Sequence, residues 1–77
     1  MTITDFENEY FALFAQVPSY RYGQHFCNKF IKDSSTSEMC LLWEEEDIVK
    51  ARNKCFELIE RYSWDLNDLP MLNREVV

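Results

Sequence analysis

Hydrophobic side chains recur at helical spacing in three stretches of this chain. Phe6, Tyr10, Leu13, Phe14 and Val17 fall on one stripe, which predicts an amphipathic helix. Thr4 precedes it as an N-cap, and Asp5, Glu7 and Glu9 complement the positive end of its dipole. Pro18 ends it by disfavouring helical geometry at Val17. A second stretch, with Ser19 as its cap, runs to about Lys32. Tyr22, Phe26, Cys27, Phe30 and Ile31 make its inward face, and Arg21, His25, Asn28 and Lys32 a polar, partly basic face opposite. Gly23 interrupts that stretch. A glycine inside a helix costs about 1 kcal/mol relative to alanine, so it implies either close approach of another backbone or a break.

The polar loop Asp33 to Glu38 follows, with Ser35 and Glu38 spaced as a capping box. Met39-Cys40-Leu41-Leu42-Trp43 reads equally as a short buried strand or as the first turn of a long final helix. From Glu45 the pattern is helical again. Ile48, Ala51, Cys55, Leu58, Ile59 and Tyr62 face inward, and Glu46–Lys50 and Glu57–Arg61 are acid-before-base pairs four apart. The expected fold is all-α with at most one short strand: a compact three-helix bundle with helices at about 5–17, 19–32 and 45–63. Residues 1–66 form the single domain and 67–77 a partly ordered tail, and Leu66, Leu69 and Met71 can fold back on the bundle.

Composition sharpens this picture in three ways. At 77 residues there is room for one core only. Six phenylalanines, four tyrosines and two tryptophans are rich core material, more than so small a domain can bury, so some rings are expected at the surface as interface residues. One glycine and two prolines argue against a turn-rich β fold and against disorder. No apolar run approaches the ~18 residues of a membrane span, and the acidic N-terminus does not resemble a signal peptide. A cytoplasmic location is the expectation. Cys27, Cys40 and Cys55 are then expected as reduced, small, buried hydrophobes.

The net charge is −6, and its distribution is uneven. Asp5, Glu7 and Glu9 make the first stretch acidic, and Arg21, Lys29 and Lys32 make the second basic. The acidity then peaks at Asp33, Glu38 and the run Glu44-Glu45-Glu46-Asp47. Helical neighbours splay around the axis, so no two carboxylates of that run converge as a catalytic or metal-binding pair. Their first reading is a helix N-terminus neutralised by acids. His25-x-Cys27 on a helix points its side chains to different faces and there is no Cys-x-x-Cys pair, so neither a zinc site nor a Cys-His nucleophile is predicted. Glycine-rich phosphate loops and Ser/His/Asp patterns are missing. The expectation is a non-enzyme without metal or cofactor.

The segment Arg21-Tyr22-Gly23-Gln24-His25-Phe26-Cys27-Asn28-Lys29-Phe30 resembles one in small phage and prophage proteins, an Arg-x-Gly-Gln-x-Phe-Cys-Asn-x-Phe helix. In those proteins a leucine–aromatic–acidic stretch and a final helix follow, matched here by Leu42-Trp43-Glu44-Glu45 and the helix bearing Ala51. The likeness covers about residues 20–60 and brings no function with it. Gly23, Phe26 and Phe30 are explained by packing, whereas Arg21, Gln24 and Asn28 would bond to loop backbone or to a partner. A phage setting implies an inhibitor of host defence or of a host nucleic-acid enzyme, similar to anti-CRISPR proteins in size and acidity only. Such a protein would offer carboxylates where phosphates sit in a basic groove.

The leading expectation is therefore a binder of a host protein or ribonucleoprotein with a basic surface. Glu7, Glu9, Glu38, Trp43, Glu44, Glu45, Glu46 and Asp47 are the candidate contact residues, and Trp64 is a second candidate anchor. A small nucleic-acid-binding regulator using Arg21, Lys29, Lys32, Lys50, Arg52 and Lys54 is the alternative, although the nearby acids would repel phosphate. A homodimeric structural protein is the third.

Overall fold

The computed structural model of the protein describes residues 1–33 and 35–71. Among these it contains four helices and no sheet. They are α1 (Ile3–Gln16), α2 (Tyr22–Phe30), α3 (Ser37–Glu44) and α4 (Ile48–Arg61). The expected three-helix bundle is thus corrected to four helices, because residues 37–44 form a helix of their own. The burial pattern explains why residues 39–43 are not a strand. Met39 and Leu42 are buried while Leu41 is exposed, which is helical spacing; a strand would place 39 and 41 on one face.

The end of α3 has an electrostatic cause. A run of four acidic residues at a helix C-terminus opposes the dipole, and the chain leaves helical geometry at Glu45 (φ −67°, ψ 119°). Asp47 then restarts the helix, its Oδ1 accepting from the N–H groups of Val49 and Lys50 at 2.9 and 3.2 Å. The acidic run is therefore a hinge between α3 and α4, and only Asp47 has the capping role expected of the whole run.

The other boundaries also shift. Thr2, not Thr4, caps α1, accepting from Asp5 N–H at 3.1 Å; Val17 closes the helix just before Pro18. Ser19 caps nothing, since residues 17–20 form a turn closed by Tyr20 N–H to Val17 O at 2.9 Å. Helix α2 starts from Arg21, whose N–H donates to Gln24 Oε1 at 3.3 Å. In the following loop Thr36, not Ser35, caps α3 through Met39 N–H at 3.2 Å.

Helix α2 is the hub and packs against both α3 and α4. Gly23 is the reason α3 can approach so closely. A Cβ built on it would stand 2.1 Å from the Leu42 carbonyl oxygen, so backbone meets backbone and α2 runs through the glycine unbroken. Helix α1 joins mainly through large rings. Phe6 lies against Tyr22, Phe26 and Phe30 at centroid distances of 5.3, 6.2 and 5.2 Å, and Tyr10 meets Tyr22 edge-on at 5.2 Å. The core is completed by Ala51, Cys55, Leu58 and Ile59 of α4 and by Leu69.

Leu69 belongs to the stretch expected as a tail. Its N–H donates to Met1 O at 2.7 Å, and Ile3 N–H donates to Leu66 O at 2.8 Å, so residues 65–69 clasp the start of α1. The remainder of the expected tail, residues 72–77, lies outside the described residues. Among the described residues, no helix is long and apolar enough to cross a membrane.

Candidate functional site: the junction of α3 and α4 and the His25 network

The eight acidic and aromatic candidates do not gather on one edge. Glu7 accepts from Tyr22 Oη at 3.1 Å and Arg52 Nε at 2.6 Å, while the Arg52 guanidinium also covers the Phe56 ring at 4.4 Å. Glu9 lies 2.9 Å from Lys29 Nζ and 2.8 Å from His25 Nε2. Glu38 bridges Lys54 and Arg61 at 3.0 and 2.8 Å. These partners hold the Glu38 carboxyl below its usual range and raise Lys54 and Arg61 in return. Glu46 pairs with Arg21 at 3.1 Å rather than with Lys50, whereas the expected Glu57–Arg61 pair is present at 3.2 Å. Local sequence shows charge but not who neutralises it, because most of these partners are more than fifteen residues away.

What is left is a short acidic and apolar edge at the junction of α3 and α4. Among the described residues Glu44 and Glu45 have no cation partner, since Arg21 reaches only the Glu44 carbonyl at 3.0 Å. Beside them stand Trp43, 36% exposed, and Leu41 at 71%, and Val49 in the first turn of α4 is 66% exposed. Leu41 also borders a groove of about 570 Å³ between the helices, with Glu38 and Glu45 on one wall and Lys50 and Lys54 on the other. Trp64, the other candidate anchor, is half-buried against Phe26, Phe30 and Tyr62.

The cations show the same self-neutralisation. Arg21, Lys29, Arg52, Lys54 and Arg61 all hold carboxylates; Lys32 and Lys50 form no ion pair among the described residues. Arg21, Gln24 and Asn28, which packing did not explain, all bond within the chain: to Glu44 O and Glu46, to the Arg21 N–H, and to Tyr20 Oη.

His25 was expected on the polar face, yet it is 2% exposed. Its Nδ1 lies 2.8 Å from Tyr20 Oη, and its ring packs on Phe6 with centroids 4.8 Å apart. The Glu9 contact at Nε2 falls off the direction of a good hydrogen bond, so its hold on the ring is mainly electrostatic. Burial pulls the His25 pKa below its ordinary value, opposed by Glu9 and assisted by Lys29. The missed signal is the five-residue spacing of Tyr20 and His25 across a helix start, a geometry that helical periodicity does not describe.

Cys27 and Cys55 are buried thiols as expected, and burial pushes Cys27 up to about 11. Cys40 is exposed instead, because it sits on the outer side of the newly found α3. Among the described residues, no three His, Cys, Asp or Glu side chains group as metal ligands. Comparison with family models, with curated proteins and with solved structures finds no match to this chain.

Proposed function

We propose that the protein is a binding module that docks a basic, partly apolar surface of another protein through the junction of α3 and α4. Within that reading its role is to inhibit or modulate a nucleic-acid-handling complex, the setting that the resemblance to phage and prophage proteins implies. One observation carries it: Glu44 and Glu45, which have no cation partner among the described residues, adjoin exposed Trp43 in the chain, and Glu45 shares a groove with exposed Leu41. Exposed apolar anchors ringed by charge are the usual anatomy of an interface. Carboxylates without an internal cation are the ones available to meet a partner's arginines and lysines. Among the described residues the self-neutralised cations leave only Lys32 and Lys50 without an ion pair, which favours this reading over a nucleic-acid-binding regulator.

The test is affinity capture of the tagged protein from lysate with nuclease, compared with the variant Trp43→Ala/Glu44→Lys/Glu45→Lys. Glu46 and Asp47 are left alone because they hold Arg21 and the α4 cap. The expected result is a stoichiometric nucleic-acid-handling protein retained by the parent and lost by the folded variant. Equal retention by the variant overturns the assigned edge. Loss of all partners on nuclease treatment, or recovery of this chain alone, overturns the function in favour of a nucleic-acid regulator or a self-assembling protein.

A further inference from the structure

The network around His25 is separate from the proposed binding edge and has a chemistry of its own. Glu9 enters it from α1, Tyr20 from the connection before α2, and His25, Asn28 and Lys29 from α2. The phenol oxygen of Tyr20 lies 2.8 Å from His25 Nδ1 and accepts from Asn28 Nδ2 at 3.3 Å, on the exposed side of the network. Behind it the imidazole is enclosed by Phe6, Tyr10 and Tyr20, at centroid distances of 4.8, 6.1 and 5.5 Å. The groups facing the ring that titrate or carry charge are Glu9 and Tyr10 from α1, Tyr20 from the connection and Lys29 from its own helix.

Glu9, 2.8 Å from Nε2, favours the neutral tautomer with its proton on Nε2. That leaves Nδ1 as the acceptor for the phenol. A side-chain oxygen within reach of a base is the arrangement that activates nucleophiles, and here the base also has the charge of Glu9 on its other side. Burial keeps the ring unprotonated near neutral pH, and so available to take a proton. The donor nearest the phenol, Asn28 Nδ2 at 3.3 Å, suits an electrophile that gathers negative charge on oxygen; Lys29 stands on the far side of His25, held by Glu9.

We propose that Tyr20 is a primed nucleophile that accepts a phosphoryl group from an activated phosphorus donor such as a phosphoric anhydride. In the step the phenol oxygen forms a bond to phosphorus while the bond from phosphorus to the leaving group breaks. The leaving group departs with that electron pair. The phenol proton passes to His25 Nδ1, and Glu9 stabilises the imidazolium. Nothing is oxidised or reduced.

Tyr62 is an internal control: it is 40% exposed and stacks near Trp64, but no imidazole faces it. The experiment treats the intact protein with diisopropyl phosphorofluoridate, whose leaving group is fluoride, and maps the adduct by peptide mass spectrometry from about pH 5 to 8. Tyr20 is expected to label at least about tenfold faster than Tyr62, a small part of the roughly 10²–10⁴-fold that a positioned base provides. Its rate should fall as His25 protonates below about pH 6.5. Glu9→Gln, checked for native circular dichroism, should slow Tyr20 and leave Tyr62 unchanged. Equal wild-type rates at the two tyrosines, or a Tyr20:Tyr62 rate ratio that does not change with pH, overturn the proposal whether or not any variant folds.

Discussion

Gly23 shows how one residue can decide a helix contact. With only 2.1 Å between its virtual Cβ and the Leu42 oxygen, a methyl group has backbone to displace and no side chain to push aside. Gly23→Ala would gain helix propensity of about 1 kcal/mol and lose more to overpacking, typically 1–3 kcal/mol and here at the high end or beyond. A lower urea midpoint is expected; an unchanged or higher one would mean that α3 yields easily. Ser63 presents the opposite case. It follows α4 with φ 59°, a left-handed conformation that costs an ordinary residue roughly 1–2 kcal/mol. Ser63→Gly is expected to stabilise by about 0.5–1 kcal/mol after the glycine's larger unfolded-state entropy is counted, read as a rise in melting temperature. His25 sets a pH dependence. Its folded-state pKa lies below the ordinary 6.5, so the unfolded chain takes the proton first as pH falls. Stability is full above about 6.5 and declines from there down to the folded-state value. Urea titrations at a series of pH values should show this decline, and His25→Gln should remove that part of the slope.

The helices are set by their ends as much as by their stripes. Two caps differ from the expected ones by one or two residues where hydroxyls stand close together: Thr2 caps α1 in place of Thr4, and Thr36 caps α3 in place of Ser35. Which hydroxyl caps depends on where the first turn meets the core, and a single strand of sequence does not contain that. The α3–α4 hinge is the element with most consequence, because it alone turns one long helix into two and exposes Leu41 and Trp43 beside Glu44 and Glu45. Asp47→Ala removes two hydrogen bonds to the start of α4 and is expected to destabilise by about 0.5–2 kcal/mol. Glu44→Lys, by contrast, places a cation at the C-terminus of α3 and should be neutral or slightly stabilising. Chemical denaturation of the two variants side by side separates the capping acid from the unpaired one; equal losses would contradict the assignment.

At the level of the whole molecule, the termini of the described chain are closed by a clasp. Leu69 is buried in the core and its backbone bonds to Met1, so a residue expected in a partly ordered tail is structural. Leu69→Ala should cost about 2–5 kcal/mol, as for other buried leucines, measurable by thermal or urea unfolding; a value near zero would place Leu69 outside the core. The net charge of −6 is likewise a molecular property, distinct from a local field. Glu7, Glu9, Glu38 and Glu46 are each matched by a cation from another segment, which leaves Glu44 and Glu45 among the carboxylates with no cation partner in the described residues. Partly exposed pairs of this kind add modestly to stability, but they decide which carboxylates face a partner.

The sequence by itself determined the helical class, the presence of α1, α2 and α4 and the stop at Pro18, and it narrowed Gly23 to a close approach or a break. Each of these follows from local geometry: a 3.6-residue period, a ring that forbids helix before it, a missing Cβ. Of the residues read as facing inward, Leu13, Val17 and Tyr62 are exposed. Tertiary structure alone decided that residues 39–43 belong to a separate helix, that His25 is buried beside Tyr20 and Glu9, and which acids are neutralised. Those outcomes depend on which distant side chains share one small core, and a polar residue's burial is settled by the partners that the fold brings to it.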